Sequence, residues 1–200
     1  MSSRARFTAD ETRERILTVA EEHFRRVGYA KTAIAELANE LGMSSANVYR
    51  FFPSKSAICQ EIARRLLDQS HALLRDIAAD RSLSAEGRLA RMTMTLHRFN
   101  KSQFIDERRL YDMVEAAMTE SWPVIQEHLN TLVAMFADVI REGMAAGEFI
   151  VRDPLEAAIC FKQSHVSVFH PTLIAHCAFD QDLDEQTARL TRFAIRALKA

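Results

Sequence analysis

Ser45, Asn47, Tyr49, Arg50 and Lys55 fall within eleven residues, and their side chains suit the edges and backbone of a nucleic acid. Asparagine can bond adenine through two hydrogen bonds at once, and serine can reach several base edges. Tyr49, Arg50 and Lys55 add a hydroxyl and two cations, groups that hold phosphates and so fix register. Upstream, Lys31 and Thr32 can hold a further phosphate at a helix N-terminus, where free N–H groups point outward. Ser44 and Ala46 flank Ser45 in the same turn and belong to the candidate contact set.

For these side chains to reach one groove, Thr32 to Lys55 must fold as two short helices and a tight turn. Thr32 is the expected cap of the first, since its hydroxyl can accept an orphan N–H. Ile34, Leu37, Ala38 and Leu41 recur at spacings of three and four and so share a face. Gly42 follows, where a left-handed residue ends a helix. Ser44 or Ser45 caps a second helix, Ala46–Phe52, which Pro53 closes. Val48 and Phe52 point back to the core. Helix, glycine-containing turn and helix form a helix-turn-helix, whose second helix enters a major groove. On spacing alone, a plain helical hairpin with a solvated Asn47 accommodates the same residues.

The stretch resembles the DNA-binding domain of the TetR family of bacterial one-component repressors. The resemblance is carried by Thr32, Leu37-Ala38, Gly42-Met43-Ser44, Tyr49, Phe52 and Ser54-Lys55. Two positions depart: Ala46 stands where the family commonly has glycine, and Phe51 where it commonly has histidine, which removes one phosphate donor. The resemblance implies a homodimer on a palindromic double-stranded operator. It puts the dimer interface on the last two helices, roughly 154–177 and 183–198, where Phe161, Leu190, Phe193 and Leu198 can cover a partner. It also implies a pocket for a small, mainly apolar effector among helices beginning near Ser54, Ser84, Asp106 and Trp122. Residues on expected inward faces then supply the lining: Met92, His97, Tyr111, Met118, Trp122, Phe136, Phe161 and His165. Methionine adapts to varied shapes, and the polar tips of Tyr, Trp and His suit a ligand site. The same Met and aromatic residues at helical spacing also suit an ordinary core.

Two hundred residues, with 48% hydrophobic and 26% charged, describe an ordinary globular chain. The net charge of −1 gives no global bias toward nucleic acid. Its distribution is informative: residues 1–55 carry nine Lys/Arg against seven Asp/Glu, and the remainder 17 against 20. The modest basic excess lies with the proposed DNA contacts. No apolar run reaches the length of a membrane span. The N-terminus, MSSRARFTADETRER, lacks the apolar region of a signal peptide. Three scattered cysteines, Cys59, Cys160 and Cys177, do not make a disulfide framework, so a reducing cytoplasm is the expected setting.

The remaining elements are expected to be helices. Residues 1–7 are expected to be a solvated tail; as an arm, Arg4 and Arg6 can also reach phosphates or a minor groove. Thr8 to Glu11 is a capping box opening a helix to about Val27, with Ile16, Leu17, Ala20, Phe24 and Val27 buried. Ser54 caps a long helix to about Asp80, with Ile58, Ile62, Leu66, Leu73 and Ile77 inward and Arg64 and Arg65 solvated. Ser84 caps a helix to about Asn100, Asp106 one over 107–118, and Trp122-Pro123 opens one to about Ala146. Asp153-Pro154 starts a helix carrying Leu155, Ile159, Phe161, Val166 and Phe169, which Pro171 breaks. A last helix, from Asp182 or Asp184, carries Leu183, Leu190, Phe193, Ala194, Ala197 and Leu198.

Other chemistry fits less well. His165, His170 and His176 with Cys160 and Cys177 lack the spacings of a zinc site. Five glycines form neither a nucleophile elbow nor a phosphate loop. The cysteines sit in apolar stretches, where thiols are inert. The expectation is an all-α protein with a helix-turn-helix DNA-binding domain at 1–55 and a helical ligand-binding and dimerisation domain at 56–200. No cofactor, metal or membrane is expected. The partners are operator DNA, a small-molecule effector and a second copy of the chain. A helical-bundle enzyme acting on a small molecule, or a DNA-binding or interaction protein without a ligand, is the alternative.

Overall fold

The computed structural model describes residues 7–104, 113, 116–117, 119–120, 122–177 and 182–199. Every regular element among them is a helix: α1 Ala9–Val27, α2 Ile34–Glu40, α3 Ser45–Phe51, α4 Lys55–Ala79, α5 Ala85–Phe104, α6 Pro123–Ala145, α7 Pro154–Ser164, α8 Val166–Phe169, α9 Pro171–Cys177 and α10 Leu183–Leu198. The expected helix 107–118, its cap Asp106, and the arm residues Arg4 and Arg6 lie outside or largely outside the described residues.

Local sequence accounts for most helix ends. Thr8 and Glu11 form the capping box of α1, exchanging bonds of 3.1 and 2.7 Å. Ser44, Ser54, Ser84 and Asp182 each accept an N–H from the first turn of the helix they precede. Asp153 does the same for α7, with Pro154 at the first helical position. Gly42 and Gly147, at φ of 66° and 75°, occupy the left-handed region that ends a helix without a Cβ penalty. One cap differs from expectation: Ala33, not Thr32, is the N-cap of α2, and Glu36 accepts the Ala33 N–H at 3.2 Å.

The buried residues form two clusters. The first joins α1, α2 and α3 to the first three turns of α4, through Leu17, Phe24, Leu37, Val48, Ile58 and Ile62, and includes Met113, Ala117, Trp122 and Val124. The second joins the end of α4 to α5, α6, α7 and α10, through Leu74, Leu89, Met92, Phe136, Ile140 and Phe161. Helix α4 runs through both. Its buried face follows Ile58, Ile62, Leu66, Ser70 and Leu74, a spacing of four that turns slowly around the helix. This happens because α4 packs first on α1 and then on α5 and α6. The expected Leu73 therefore faces outward.

Val27, expected in the buried stripe of α1, is exposed, and so are Leu155, Ile159, Val166 and above all Phe193, at 72%. The helix starting at Pro154 is broken already at His165, before Pro171. Arg64 and Arg65 are not merely solvated: they reach Glu127 of α6 at 2.7 Å and Glu14 of α1 at 2.5 Å.

Candidate functional site

Helix α3 presents the expected polar surface. Val48, with no exposed area, and Phe52 anchor it to the first core. This leaves Ala46, Tyr49 and Arg50 exposed, with Ser45 and Asn47 half-buried beside them. The Asn47 amide rests 3.8 Å from the Met43 sulfur, a weak acceptor that a base edge can displace. Ser44 is occupied as the N-cap. Lys31 is exposed at the end of the α1–α2 turn. Phe51, at the position of the family's histidine, packs against the first core.

Two expected phosphate groups are instead turned inward. Thr32 is 2% exposed, and its hydroxyl donates to the Gly28 carbonyl at 2.9 Å. The Lys55 ammonium donates to the carbonyls of Tyr29, Thr32 and Ala30 at 2.8, 3.1 and 3.4 Å and lies 4.4 Å from the Tyr29 ring centre. The turn between α1 and α2 leaves carbonyls without helical partners, and these two side chains satisfy them. Both side chains therefore brace the turn that leads into α2.

A cavity of about 390 Å³ lies between α4, α5, α6 and the α7–α9 segment. Leu66 and Leu67 come from α4, Leu96 and Asn100 from α5, and Ile125, His128, Leu129 and Leu132 from α6. Met113, Ala117 and Trp122 form one end, and Lys162, Gln163, Val166, Phe169, His170 and Pro171 the other. The size is that of a drug-sized ligand site. Asn100 is tied to the Phe169 carbonyl at 2.8 Å. His128 bonds His71 of α4 between ring nitrogens at 2.8 Å, with the rings stacked. Burial, then the neighbouring His71 and Lys162, pushes His128 down to about 3, so it is neutral.

Trp122 is the one expected lining residue on this wall. Tyr111 and Met118 lie outside the described residues. Met92, Phe136 and Phe161 are packed into the second core, where they fill space between helices rather than border a void. His97 is fully buried, with Nδ1 2.9 Å from the Val168 carbonyl and Nε2 3.3 Å from Asp184. His165 stacks with Phe169, lies against Phe161, and bonds the Thr191 hydroxyl at 3.1 Å. Both histidines join α5 or α8 to α10. The residues that do line the cavity were missed because each helix has two apolar faces, and periodicity does not say which one meets a gap. His128, alone among Val124, Ile125, Leu129 and Leu132, was the available signal.

The cavity touches the DNA-binding side through Trp122. Its ring packs edge-on against Tyr29 at 6.3 Å, and Tyr29 packs edge-on against Phe24 at 5.6 Å. Its indole N–H donates to Glu120 at 2.8 Å, and the same carboxylate oxygen accepts from Ser56 of α4 at 2.7 Å. These donors hold the Glu120 carboxyl below its usual range. Burial, and the nearby carboxylate, push the Tyr29 hydroxyl up to about 12.

Cys59 is buried, and burial raises its thiol well above the usual range, whereas Cys160 is exposed, contrary to expectation. Among the described residues no group of three His, Cys, Asp or Glu could hold a metal, and no helix is long and apolar enough to cross a membrane.

Residues 16–62 match the family described as bacterial regulatory proteins, tetR family, and residues 85–191 match the tetracyclin repressor-like C-terminal domain. The chain is 26% identical over 168 residues to a probable HTH-type transcriptional regulator, ArpR, of Pseudomonas putida, covering 76% of each chain. It is similar in fold to a putative TetR-family regulator of Mesorhizobium loti, with a TM-score of 0.72, 16% identity and coverage of 96% and 97%. It is also similar to SmeT, the repressor of the Stenotrophomonas maltophilia multidrug efflux pump SmeDEF, with a TM-score of 0.68, 20% identity and coverage of 92% and 89%.

Proposed function

The chain belongs to the TetR family of bacterial transcriptional regulators, which are DNA-binding proteins and not enzymes, and we propose that it is a ligand-responsive repressor holding a palindromic operator as a two-fold dimer. In this reading residues 1–55 form the DNA-binding domain and 56–200 the ligand-binding and dimerisation domain. Asn47 and Ser45 read bases, while Tyr49, Arg50 and Lys31 hold phosphates. A small, mainly apolar effector fills the cavity between α4 and α6 and releases the DNA.

The observation that carries the reading is the double role of Trp122. One residue borders the cavity and also braces Tyr29, whose carbonyl is held by Lys55 in the turn that leads into α2. An effector that moves Trp122 or α4 alters the setting of α2 and α3. The separation of two recognition helices then departs from the groove repeat. Reciprocity requires operator DNA to weaken effector binding by the same factor.

The dimer is supported by large exposed apolar residues on helices that pack together: Leu155 and Ile159 of α7, Val166 of α8 and Phe193 of α10. Exposed apolar side chains on adjoining helices suit a partner surface. Of the four residues first expected there, Phe161 and Leu198 close the protomer's own core instead. Selection of bound duplexes from a random pool is the test of the class: a palindromic consensus is expected, and binding without sequence preference would overturn it. Calorimetry of an effector with and without that duplex tests the switch, with equal affinities refuting it.

A further inference from the structure

We propose that the effector selected by the cavity is an amphiphile with an apolar body and an anionic head, held by Lys162 at the rim. The proposal rests on the reading of this cavity as the effector site and names the chemistry it takes. Three features of the wall carry it. First, the described residues of the lining include no Asp or Glu, so they offer a cationic ligand no counter-charge. Second, Lys162 is half-buried on that lining, and its ammonium has no carboxylate or hydrogen-bond partner among the described residues. Arg64 and Arg65 of α4, by contrast, each hold a glutamate. Third, the lining residue His170 has a buried Nδ1 with no hydrogen-bond partner among the described residues.

Together these make a cavity with an apolar floor and a donor-bearing edge. Leu66, Leu96, Leu129 and Leu132 take the hydrocarbon part. Lys162, with the Gln163 amide, provides donors for a carboxylate or a similar anion. Asn100 is already committed to the Phe169 carbonyl. The Lys162 charge is felt inside the cavity, since it helps keep His128 neutral. A bound anion reverses that field. A carboxylate at the rim keeps part of its water while its chain leaves water altogether, which lowers the cost of burying the charge.

The test uses three probes of one chain length on the full-length protein: octanoate, 1-octanol and octyltrimethylammonium, titrated by calorimetry at neutral pH. Octanoate is expected to bind about tenfold to a hundredfold more tightly than octanol, the range of a charge-assisted hydrogen bond, and the cation most weakly. Lys162→Met should bring octanoate down to the level of octanol and leave octanol unchanged, while Lys162→Arg keeps the preference. The proposal is overturned if the alcohol or the cation matches the carboxylate, or if Lys162→Met leaves the advantage of octanoate intact. A different failure overturns the underlying reading: no probe binds, or Leu67→Trp, which fills the cavity, leaves octanoate binding unchanged.

Discussion

Helix α3 and the cavity, the two recognition surfaces we propose, are assembled in opposite ways. The outward side of α3 comes from seven consecutive residues, with the partner face fixed by Val48 and Phe52 only a turn away. The cavity wall draws on α4, α5, α6 and the α7–α9 segment, over more than a hundred residues of chain from Ala63 to Pro171. A local site tolerates change elsewhere as long as its own helix and turn stand. A site made of distant helices depends on how those helices pack. The two meet at α4 and Trp122, so the packing around the cavity is also what can reposition α3.

The largest expected effect strikes the packed side of this contrast. A Cβ on Gly143 would lie 2.3 Å from a ring carbon of Phe149 and 2.8 Å from the Ala85 Cβ. Gly143→Ala should gain about 1 kcal/mol of helix propensity and lose about 3 kcal/mol to overpacking, a net loss. Thermal unfolding should show it, and hydrogen exchange should rise in α5 and α6 while α2 and α3 stay protected. Equal loosening of α2 and α3 would break the distinction between the two regions.

On the local side, Asn47→Ala should cost roughly 1–3 kcal/mol against the best operator and relax preference at one base. Arg50→Ala should instead weaken all duplexes alike and reduce the salt slope by about one unit. If Asn47→Ala lowered every affinity equally, the division between base and phosphate contacts on α3 would be lost.

Lys55→Met tests the junction. Removing an ammonium that satisfies three carbonyls should cost about 1.5 kcal/mol of stability, and DNA affinity should fall with it because the turn before α2 loosens. Weaker DNA binding with unchanged melting would return Lys55 to the role of a direct phosphate contact.

A pH response, absent at neutral pH and growing only in acid, comes last. His128 is held at about 3 when folded, mainly by burial, below an unfolded value of about 6.5. The unfolded chain therefore takes the proton first. Stability should be flat above pH 6.5 and fall below it, by up to about 1.4 kcal/mol per pH unit for this group. His71 and His165, also lowered by burial, act in the same direction. His128→Leu should flatten the acid slope of the melting temperature, and an unchanged slope would show that His128 stays solvated.

The sequence by itself determined the all-helical class, most helix ends and the polar face of α3. These follow from interactions within a few residues: a cap bonds its own first turn, Gly42 ends α2 beside it, and Val48 orients α3 from one position. Tertiary structure alone decided that Thr32 and Lys55 turn inward, because the carbonyls they satisfy belong to a turn whose path depends on how α1 meets α2 and α4. It also decided which apolar residues fill and which enclose. Met92, Phe136 and Phe161 have the same chemistry as Leu96, Leu129 and Leu132, and only the packing of the helices around them separates a filled core from a cavity. Phe193 and Leu198 make the same point: both were expected to face a partner, yet α10 buries Leu198 with Thr187, Thr191 and Ile195 and turns only the Phe193 ring to the surface. An amphipathic pattern sets the width of a buried stripe, but the helices on either side choose its direction.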